Sequence, residues 1–310
     1  MGDKEMNVLF LRGPVPRDRD PAEAQYEFLS QSDDMWEHLA HHLGDKVEVF
    51  YWGGNYRRQY NDNMLVRWYD IKRYTPSFEP DLIFARGGFD ETYPFLKRFK
   101  CKKIYYGSGA RFNPKHDVFD IVLVDSVRQA KKVGPKARLW VKPAAPHFKP
   151  VAMAKQYDVC FVGDARFPFR IKIKRIDWLY QTCPEDISVL HLGFDGNIKK
   201  RKNIKNCRVS RGTMPEQYAR CRVGIVPYSN YDSAPRVIPE MIACGLPVVV
   251  ADSVHCWPAG YGVEPVELAN FWQKVRETLK SLDFFKPPVS FSDGSITVEA
   301  AAESIKRMVL

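Results

Sequence analysis

Short apolar runs recur along the first half of the chain, and stretches with helical spacing of apolar residues lie between them. The spacing predicts strands at 7–11, 46–51, 81–85, 103–106 and 120–124, and helices at 21–43, 91–99 and 126–133. Ser126 is expected to cap the last of these helices. Strands that alternate with helices are typical of a parallel sheet covered by helices. The first half is therefore predicted to be an α/β domain.

The second half of the chain repeats this alternation. Its pattern predicts strands at 157–162, 187–192, 223–226 and 247–251, and helices at 169–181, 215–220, 235–244, 267–282 and 297–309. Between the halves, Pro143, Pro146 and Pro150 are too closely spaced for a regular element and indicate a linker. We expect an N-terminal Rossmann-like domain at 1–145, a C-terminal Rossmann-like domain at 146–296 and a final helix at 297–310.

The segment 223–253 carries the most specific pattern in the chain. A strand and a polar turn precede a helix that has Pro235 in its first turn and Gly245 directly after it. A β-branched strand follows. Two carboxylates, Asp232 and Glu240, lie eight residues apart, the first before the helix and the second in its second turn.

This segment resembles the donor-site signature of GT-B glycosyltransferases of the group-1/family-4 type. In that signature an acidic residue, seven further residues and a glutamate precede small residues, a Cys-Gly pair and an apolar strand. Here Asp232 stands where the family usually has its first glutamate, Glu240 is the second acid, and Cys244-Gly245 precedes the strand. The resemblance implies two Rossmann-like domains that face a cleft, with a C-terminal helix returning to the N-terminal domain. The alternative is an ordinary βαβ unit, because a fold pattern alone does not establish an activity.

The resemblance also implies roles for side chains around a nucleotide-sugar donor. Glu240 is expected to bind the ribose hydroxyls, and Asp232 is expected to lie at the sugar as a catalytic residue. Backbone groups at Ser233 and the side chain of Arg236 are expected at the diphosphate. Further candidates for donor binding are Arg166, Arg170, Lys172 and Arg211. Ordinary roles compete with these assignments, such as a turn residue for Asp232 and exposed helix positions for Arg236 and Glu240.

Acceptor-binding candidates follow two strands of the first half. Arg12 and Gly13 follow the first strand, and Gly87 and Gly88 follow the strand at 81–85. Ligands collect at the carboxyl edge of open parallel sheets, and glycine permits close approach of the backbone to a ligand. These residues are therefore expected to line the acceptor side of the cleft.

Asp90 and Glu91, at the same edge, are candidates for catalysis. Either carboxylate suits a general base toward an acceptor hydroxyl if the reaction inverts configuration. If the reaction retains configuration, as the spacing of Asp232 and Glu240 implies by resemblance, the donor phosphate accepts the proton and no protein base is needed. We expect retention. Both acids also suit the N-cap and first turn of the next helix.

No metal and no permanently bound cofactor are expected. The Asp18-Arg19-Asp20 triplet is too short to indicate a metal site, and solvated helix positions explain His38 and His42 better than a metal pair does. The seven cysteines include no CxxC pair and are predicted to be reduced. The expected co-substrate is a UDP- or GDP-linked sugar, with positive side chains stabilising the leaving diphosphate.

Charge points to a polyanionic partner. The formal net charge is +10, and basic residues cluster without acids at 97–103, 166–175 and 197–211. Such clusters favour nucleic acid, an anionic membrane surface or nucleotide phosphates, although each alone also fits a solvated face. The chain resembles compact viral GT-B enzymes that glycosylate hydroxymethylated pyrimidines in DNA. We therefore favour 5-hydroxymethylpyrimidine in DNA as the acceptor.

Two alternatives to that function stay open. One is transfer to a cell-surface glycan or a lipid-linked sugar, where positive charge would meet anionic headgroups. The other is a catalytically inactive nucleotide-binding module, which the aspartate at position 232 motivates. No apolar stretch approaches the roughly 20 residues that span a bilayer, and the first residues lack the pattern of a signal peptide. We expect a cytoplasmic protein, and the sequence does not identify its protein partners.

Overall fold

The computed structural model of the chain describes residues 5–12, 34–52, 56–61, 64–69, 71, 73–86, 92–107, 116–140, 142–165, 168–194, 198–229, 235–254, 263–282 and 296–309. The chain divides into two compact units. Unit 1 comprises Met1–Trp140 together with Thr297–Leu310, and unit 2 comprises Val141–Ile296. This division lies five residues before the expected boundary at 145/146.

Unit 1 is built on an eight-stranded sheet. Its elements in the first part of the chain are β1 (Asn7–Arg12), α1 (Asp34–Leu43), β2 (Lys46–Trp52), β3 (Tyr56–Asn61), β4 (Met64–Tyr69), β5 (Leu82–Arg86), α2 (Thr92–Leu96), β6 (Lys102–Gly107), β7 (Ile121–Val124), α3 (Val127–Val133) and β8 (Ala137–Leu139). The strand order is β3-β4-β2-β1-β5-β6-β7-β8. All described neighbours are parallel except the antiparallel pair of β3 and β4.

Unit 2 is built on a six-stranded parallel sheet. Its elements are β9 (Tyr157–Val162), α4 (Pro168–Lys174), α5 (Ile176–Thr182), β10 (Val189–Leu192), β11 (Ile204–Cys207), α6 (Met214–Ala219), β12 (Cys221–Val226), α7 (Val237–Ala243), β13 (Val248–Ala251), β14 (Pro265–Val266) and α8 (Phe271–Lys280). The strand order is β11-β10-β9-β12-β13-β14.

Both sheets reverse their direction of growth once. In unit 1 the chain adds strands on one side of β1 and then crosses to place β5 on the other side. In unit 2 the same reversal separates β9 from β12. The crevice at such a switch point, outside the carboxyl ends of the strands, is where open α/β sheets bind ligands. Each unit therefore offers one predictable position for a site.

The central strands of both sheets are rich in buried apolar residues. Val159, Phe161, Val223 and Ile225 are fully buried in the core of unit 2. In a parallel sheet covered by helices on both faces, neither face of a strand meets water, so nearly all of its residues are apolar. Unit 1 has an equivalent core that includes apolar residues of β1, β5 and β7.

The C-terminal helix α9 (Val298–Val309) belongs to unit 1. Its buried residues are Val298, Ala301, Ala302 and Ile305, which recur at helical spacing on one face. That face contacts α1. The prediction that the last helix returns to the N-terminal domain is therefore confirmed.

Some sequence predictions were wrong in detail. The single helix predicted at 169–181 is two helices, because Arg175 has a left-handed backbone with φ 52° between α4 and α5. The helices predicted from 235 and 267 begin later, at Val237 and Phe271. No element was predicted at 56–69, where polar residues interrupt the apolar pattern, yet β3 and β4 form there.

The proline-rich segment at 142–150 has no regular secondary structure, as predicted. It is nevertheless packed rather than solvated, since Lys142, Ala144, Ala145 and Phe148 are buried. The Phe148 ring centroid lies 6.1 Å from that of Tyr218 in α6. No helix within the described ranges is long and apolar enough to cross a membrane.

Candidate functional site

The carboxyl edge of the unit 2 sheet is organised around Tyr228, which follows β12. Tyr228 is fully buried, and its hydroxyl donates a hydrogen bond to the Val162 carbonyl at the end of β9. The Ser253 hydroxyl, beyond β13, donates to the Tyr228 carbonyl at 2.9 Å. The ends of three neighbouring strands are therefore held together at the switch point.

Gly163 and Gly193 approach each other at the same edge, after β9 and β10. Gly193 has φ +137°, and a Cβ at this position would lie 1.8 Å from the Gly163 carbonyl oxygen. Two backbone hydrogen bonds lock the approach, from Gly163 to Leu192 at 2.9 Å and from Ala165 to Phe194 at 2.7 Å. Only glycine fits at position 193, and the edge exposes backbone where a side chain would otherwise stand.

A buried histidine of β10 forms a hydrogen bond with the carbonyl group of Gly163. His191 Nε2 lies 2.9 Å from the Gly163 carbonyl oxygen, and Nδ1 lies 2.9 Å from the Tyr180 hydroxyl. Because a carbonyl oxygen only accepts, Nε2 carries the hydrogen, and in the neutral ring Nδ1 accepts from Tyr180. His191 therefore positions the edge and is not exposed to a ligand.

The short helix α4 carries cations to the switch point. Arg170 Nη1 lies 3.7 Å from Asp164 Oδ2, and Lys174 Nζ lies 3.8 Å from the centroid of the Tyr228 ring. These two residues are four apart and share one face of α4. Lys172 lies two residues from each and is exposed on the opposite side. The structure brings Arg170 to the site, adds Lys174, and leaves Lys172 outside it.

Arg175 joins α4 to the strand ends. Its Nη1 donates to the Pro227 carbonyl at 3.2 Å and to the Ser253 hydroxyl at 2.9 Å. Burial lowers the pKa of Arg175, but an arginine stays charged at neutral pH. Its left-handed backbone costs about 1–3 kcal/mol, which these contacts offset. Ser229 adds a further tie, because its amide donates to the Ile173 carbonyl at 2.8 Å.

Glu240 lies in the first turn of α7 and is only 5% exposed, so it is not a surface charge. The Tyr218 hydroxyl lies 3.4 Å from Glu240 Oε2. Burial, with the nearby Glu240 charge, raises the pKa of Tyr218 well above its usual value. Burial and then Glu240 also raise the pKa of Cys244 to about 12. A buried carboxylate is costly unless hydrogen bonds compensate it, and the Tyr218 hydroxyl supplies one such bond.

The turn after α7 matches its prediction. Gly245 has φ +82°, its amide donates to Ile242 at 2.9 Å, and the Leu246 amide donates to Met241 at 3.0 Å. These two bonds form a Schellman motif, which ends the helix directly before β13. Arg236 stands at the N-cap position of α7, directly after Pro235, which precedes the helix instead of lying in its first turn.

Several predicted site residues lie outside the described residues. They are Asp232, Ser233, Arg166, Gly13, Gly87, Gly88, Asp90 and Glu91. Arg211 begins a 3-10 turn at Arg211–Thr213, and its side chain is not among those described. Their roles therefore stay predictions.

A second polar cluster occupies the switch point of unit 1. Arg12 ends β1 and is paired in register with Tyr51 of β2 and Arg86 of β5. Arg12 Nη1 donates to the Tyr51 hydroxyl at 2.6 Å, which lies 3.3 Å from Glu37 Oε1. The Arg86 guanidinium lies 4.7 Å above the Trp36 ring. Arg12 was predicted from the sequence as a site residue and Arg86 was not, although its position at the end of β5 was an available indication.

Metal-binding groups are not assembled in the described part of the chain, where no set of three or more His, Cys, Asp or Glu residues is placed to hold an ion. His42, a member of the pair considered for metal binding, lies 3.4 Å from Glu299 Oε1 of α9. Burial lowers the pKa of His42, with Glu299 acting in the opposite direction.

No protein-family model matches the chain, and no curated protein matches it. Solved structures do. Sucrose-phosphate synthase from Thermosynechococcus elongatus is 13% identical, with a TM-score of 0.62 over 98% of both chains. Anabaena HepE in complex with UDP is 14% identical, with a TM-score of 0.56 over 98% of this chain and 95% of that one. A Burkholderia xenovorans α,α-trehalose-phosphate synthase in complex with glucose-6-phosphate is 9% identical, with a TM-score of 0.55 over 98% and 100%.

These likenesses confirm the predicted GT-B fold. At identities of 9–14% they establish the fold and leave the chemistry to the residues of this chain.

Replacing Gly193 by alanine tests the close approach. We expect Gly193→Ala to destabilise unit 2 by more than the about 1–3 kcal/mol of backbone strain alone, because the new methyl group collides with the Gly163 carbonyl. Thermal unfolding monitored by circular dichroism measures the change. Gly212→Ala is the matched control, since nothing lies within 4 Å of its Cβ position. Equal stability of the two variants would contradict the assigned geometry.

Proposed function

We propose that the chain is a glycosyltransferase that moves a sugar from a nucleotide-sugar to an acceptor hydroxyl with retention of configuration. The main support for this proposal is the burial of Glu240. This carboxylate lies in the first turn of α7, the helix that follows β12 at the unit 2 switch point. HepE, a structural neighbour, was solved with UDP, which supports a UDP-linked donor. A GDP-linked donor is the alternative in the same proposal.

In this proposal Glu240 binds the ribose of the donor. A carboxylate only accepts hydrogen bonds, and two adjacent hydroxyls offer two donors to it. Hydrogen bonds to a charged group in a site shielded from water are stronger than neutral ones. Tyr218 holds the Glu240 side chain from the opposite side, at 3.4 Å.

The diphosphate lies in this proposal against the glycine edge and the cations of α4. Gly163 and Gly193 expose backbone there, and Arg170 and Lys174 share the helix face that meets Asp164 and Tyr228. Positive charge placed where negative charge develops on the leaving group lowers the barrier without a metal. The predicted residues Arg166, Arg211, Ser233 and Arg236 complete the donor site.

Asp232 contacts the sugar in this proposal, and the donor phosphate accepts the proton of the attacking hydroxyl. Asp90 or Glu91 would serve as the general base only if the reaction inverted. The stereochemistry of the product therefore distinguishes the two roles.

The proposed acceptor is a 5-hydroxymethylpyrimidine in DNA. The net charge of +10 favours a polyanion, and Arg12 and Arg86 end neighbouring strands at the unit 1 switch point. Gly13, Gly87 and Gly88 follow those same strands in the sequence. A base in duplex DNA would have to be flipped out of the stack to reach a protein site.

A phosphorylated sugar is the second candidate acceptor. Arg86 at the unit 1 switch point suits a phosphate group, because guanidinium binds phosphate oxygens in a bidentate manner. Arg12, predicted to bind the acceptor, is buried against Tyr51 and supports the strand ends instead. The trehalose-phosphate synthase neighbour was solved with glucose-6-phosphate. Transfer to free sugar phosphates would leave the basic surface of the chain unexplained, so DNA is preferred.

Mass spectrometry tests the proposed reaction. The protein is incubated with a panel of nucleotide-sugars and with DNA that contains 5-hydroxymethylcytosine or 5-hydroxymethyluracil, beside unmodified DNA and sugar phosphates. We expect a sugar-sized mass gain on the modified nucleoside alone. A mass gain found only on a sugar phosphate would contradict the DNA acceptor but support the glycosyltransferase activity. Neither transfer nor release of nucleoside diphosphate from any donor by folded protein would favour the inactive nucleotide-binding module.

Replacing Glu240 by glutamine tests the donor site. We expect Glu240→Gln to weaken UDP binding about 10- to 100-fold, because a hydrogen bond to a charged group contributes about 1.5–3 kcal/mol. Isothermal titration calorimetry measures the affinity. Glu216→Gln, on the exposed side of α6, is the control and should bind as the wild type does. Unchanged affinity in a folded Glu240→Gln protein would refute the assignment.

A further inference from the structure

The basic side chains of the three runs at 97–103, 166–175 and 197–211 make different contacts in the structure. In the run 97–103, Lys103 is buried and donates to the Cys101 carbonyl at 2.9 Å. The Arg98 guanidinium lies 5.5 Å from the centroid of the Phe95 ring. In the run 166–175, Arg170 and Lys174 face the candidate donor site. The first run also has exposed cations, at Lys97, Arg98, Lys100 and Lys102, but it lies in unit 1, away from the candidate donor site of unit 2 in the sequence.

The third run lies along the outer strand of the unit 2 sheet. Among the described strands, β11 has a neighbour on one side only, β10. The exposed cations of this run, called here the basic edge, are Lys199, Lys200, Lys202, Lys205 and Arg208. In the described part of the chain, none of the four lysines forms an ion pair. Their charges are therefore available to an outside partner.

Arg201 does not belong to the basic edge. Its Nη1 donates to the carbonyls of Tyr180 and Gln181 at 3.2 and 3.4 Å, in the last turn of α5. The last carbonyls of a helix lack intrahelical partners, and a cation stabilises them. Arg201 thus has a structural role that the flanking lysines lack.

The strand that carries the basic edge is held firmly. The Asn203 side-chain amide donates to the carbonyls of Pro184 and Ile187 at 2.7 and 2.9 Å. The Asn206 amide donates to the Gly193 carbonyl at 2.9 Å. These bonds anchor the backbone at and directly before β11 to the rest of unit 2, so the positions that carry the cations are held in place.

One end of the basic edge reaches the candidate donor site. The Arg208 guanidinium lies 4.3 Å from the centroid of the Phe194 ring, and Phe194 directly follows Gly193. Lys199, Lys200 and Lys202 lie in the segment before β11, Lys205 lies in the strand and Arg208 follows it. The basic edge therefore extends from the amino end of β11 to the carboxyl edge of the sheet, where Arg208 lies.

We propose that the basic edge binds the phosphate backbone of duplex DNA and that Arg208 is its end nearest the donor site. This inference rests on the proposed DNA acceptor. A group of lysines without ion partners complements a row of phosphates, and binding releases condensed counterions. Peripheral binding to a membrane also uses apolar side chains that enter the interface. Among the described residues, the exposed large apolar side chains are Val127, Val151 and Met153, none of which lies on the basic edge.

Fluorescence anisotropy with a 20-base-pair duplex containing 5-hydroxymethylcytosine tests the proposal on the full chain at several salt concentrations. The edge variant carries Lys199→Gln, Lys200→Gln, Lys202→Gln and Lys205→Gln. The matched control carries Lys97→Gln, Lys100→Gln, Lys131→Gln and Lys280→Gln, which remove the same charge from exposed positions elsewhere. We expect the edge variant to bind at least about tenfold more weakly and its salt slope to fall by about 3 to 4, since each phosphate contact contributes about 0.9.

The remaining outcomes each decide against the proposal in a distinct way. An equal loss in both variants would show that only net charge matters and would overturn the basic edge while leaving the DNA acceptor in place. No DNA binding by the wild type, together with binding to vesicles rich in phosphatidylserine, would assign the surface to a membrane. No binding to either would overturn the inference, and donor hydrolysis measured in the same preparation would show separately whether the transferase proposal stands.

Discussion

The contact between Gly193 and the Gly163 carbonyl is the constraint on which the candidate site of unit 2 depends. The chain passes there with no space for a side chain, and it does so at the carboxyl ends of two neighbouring strands. His191 holds the same carbonyl from within the sheet. At this same edge, Arg170 lies beside Asp164 and Lys174 lies over the Tyr228 ring.

A second feature, the burial of Glu240, connects this geometry to chemistry. The carboxylate stands against Tyr218 in a region apolar enough to raise the pKa of both that tyrosine and Cys244. Burying such a charge costs free energy that its hydrogen bonds must offset. In the proposed donor site, the cations of α4 face the diphosphate and the carboxylate of α7 accepts hydrogen bonds from the adjoining ribose. This combination supports the donor site more than either feature does alone.

The sequence predicted most strands and the two-domain α/β fold, because periodicity and turn residues are local properties. It placed Glu240 in the second turn of its helix, whereas the later start of α7 puts it in the first turn. It did not predict the break at Arg175, since the left-handed backbone there is maintained by contacts with Pro227 and Ser253, which are distant in the sequence. Lys174, Tyr228 and Arg86 were missed for the same reason: their roles follow from which strand ends are neighbours. Asp232, Asp90 and Glu91 lie outside the described residues, so their roles still rest on the sequence pattern.

Hydrogen exchange of the wild-type protein with and without UDP tests the central claim, that the nucleotide binds at the switch point of unit 2. The account predicts slower exchange in peptides that contain 163–165, 193–194 and the first turn of α7, with the strands of unit 1 unchanged. Slower exchange confined to unit 1, or no change at UDP concentrations that calorimetry shows to be saturating, would contradict it.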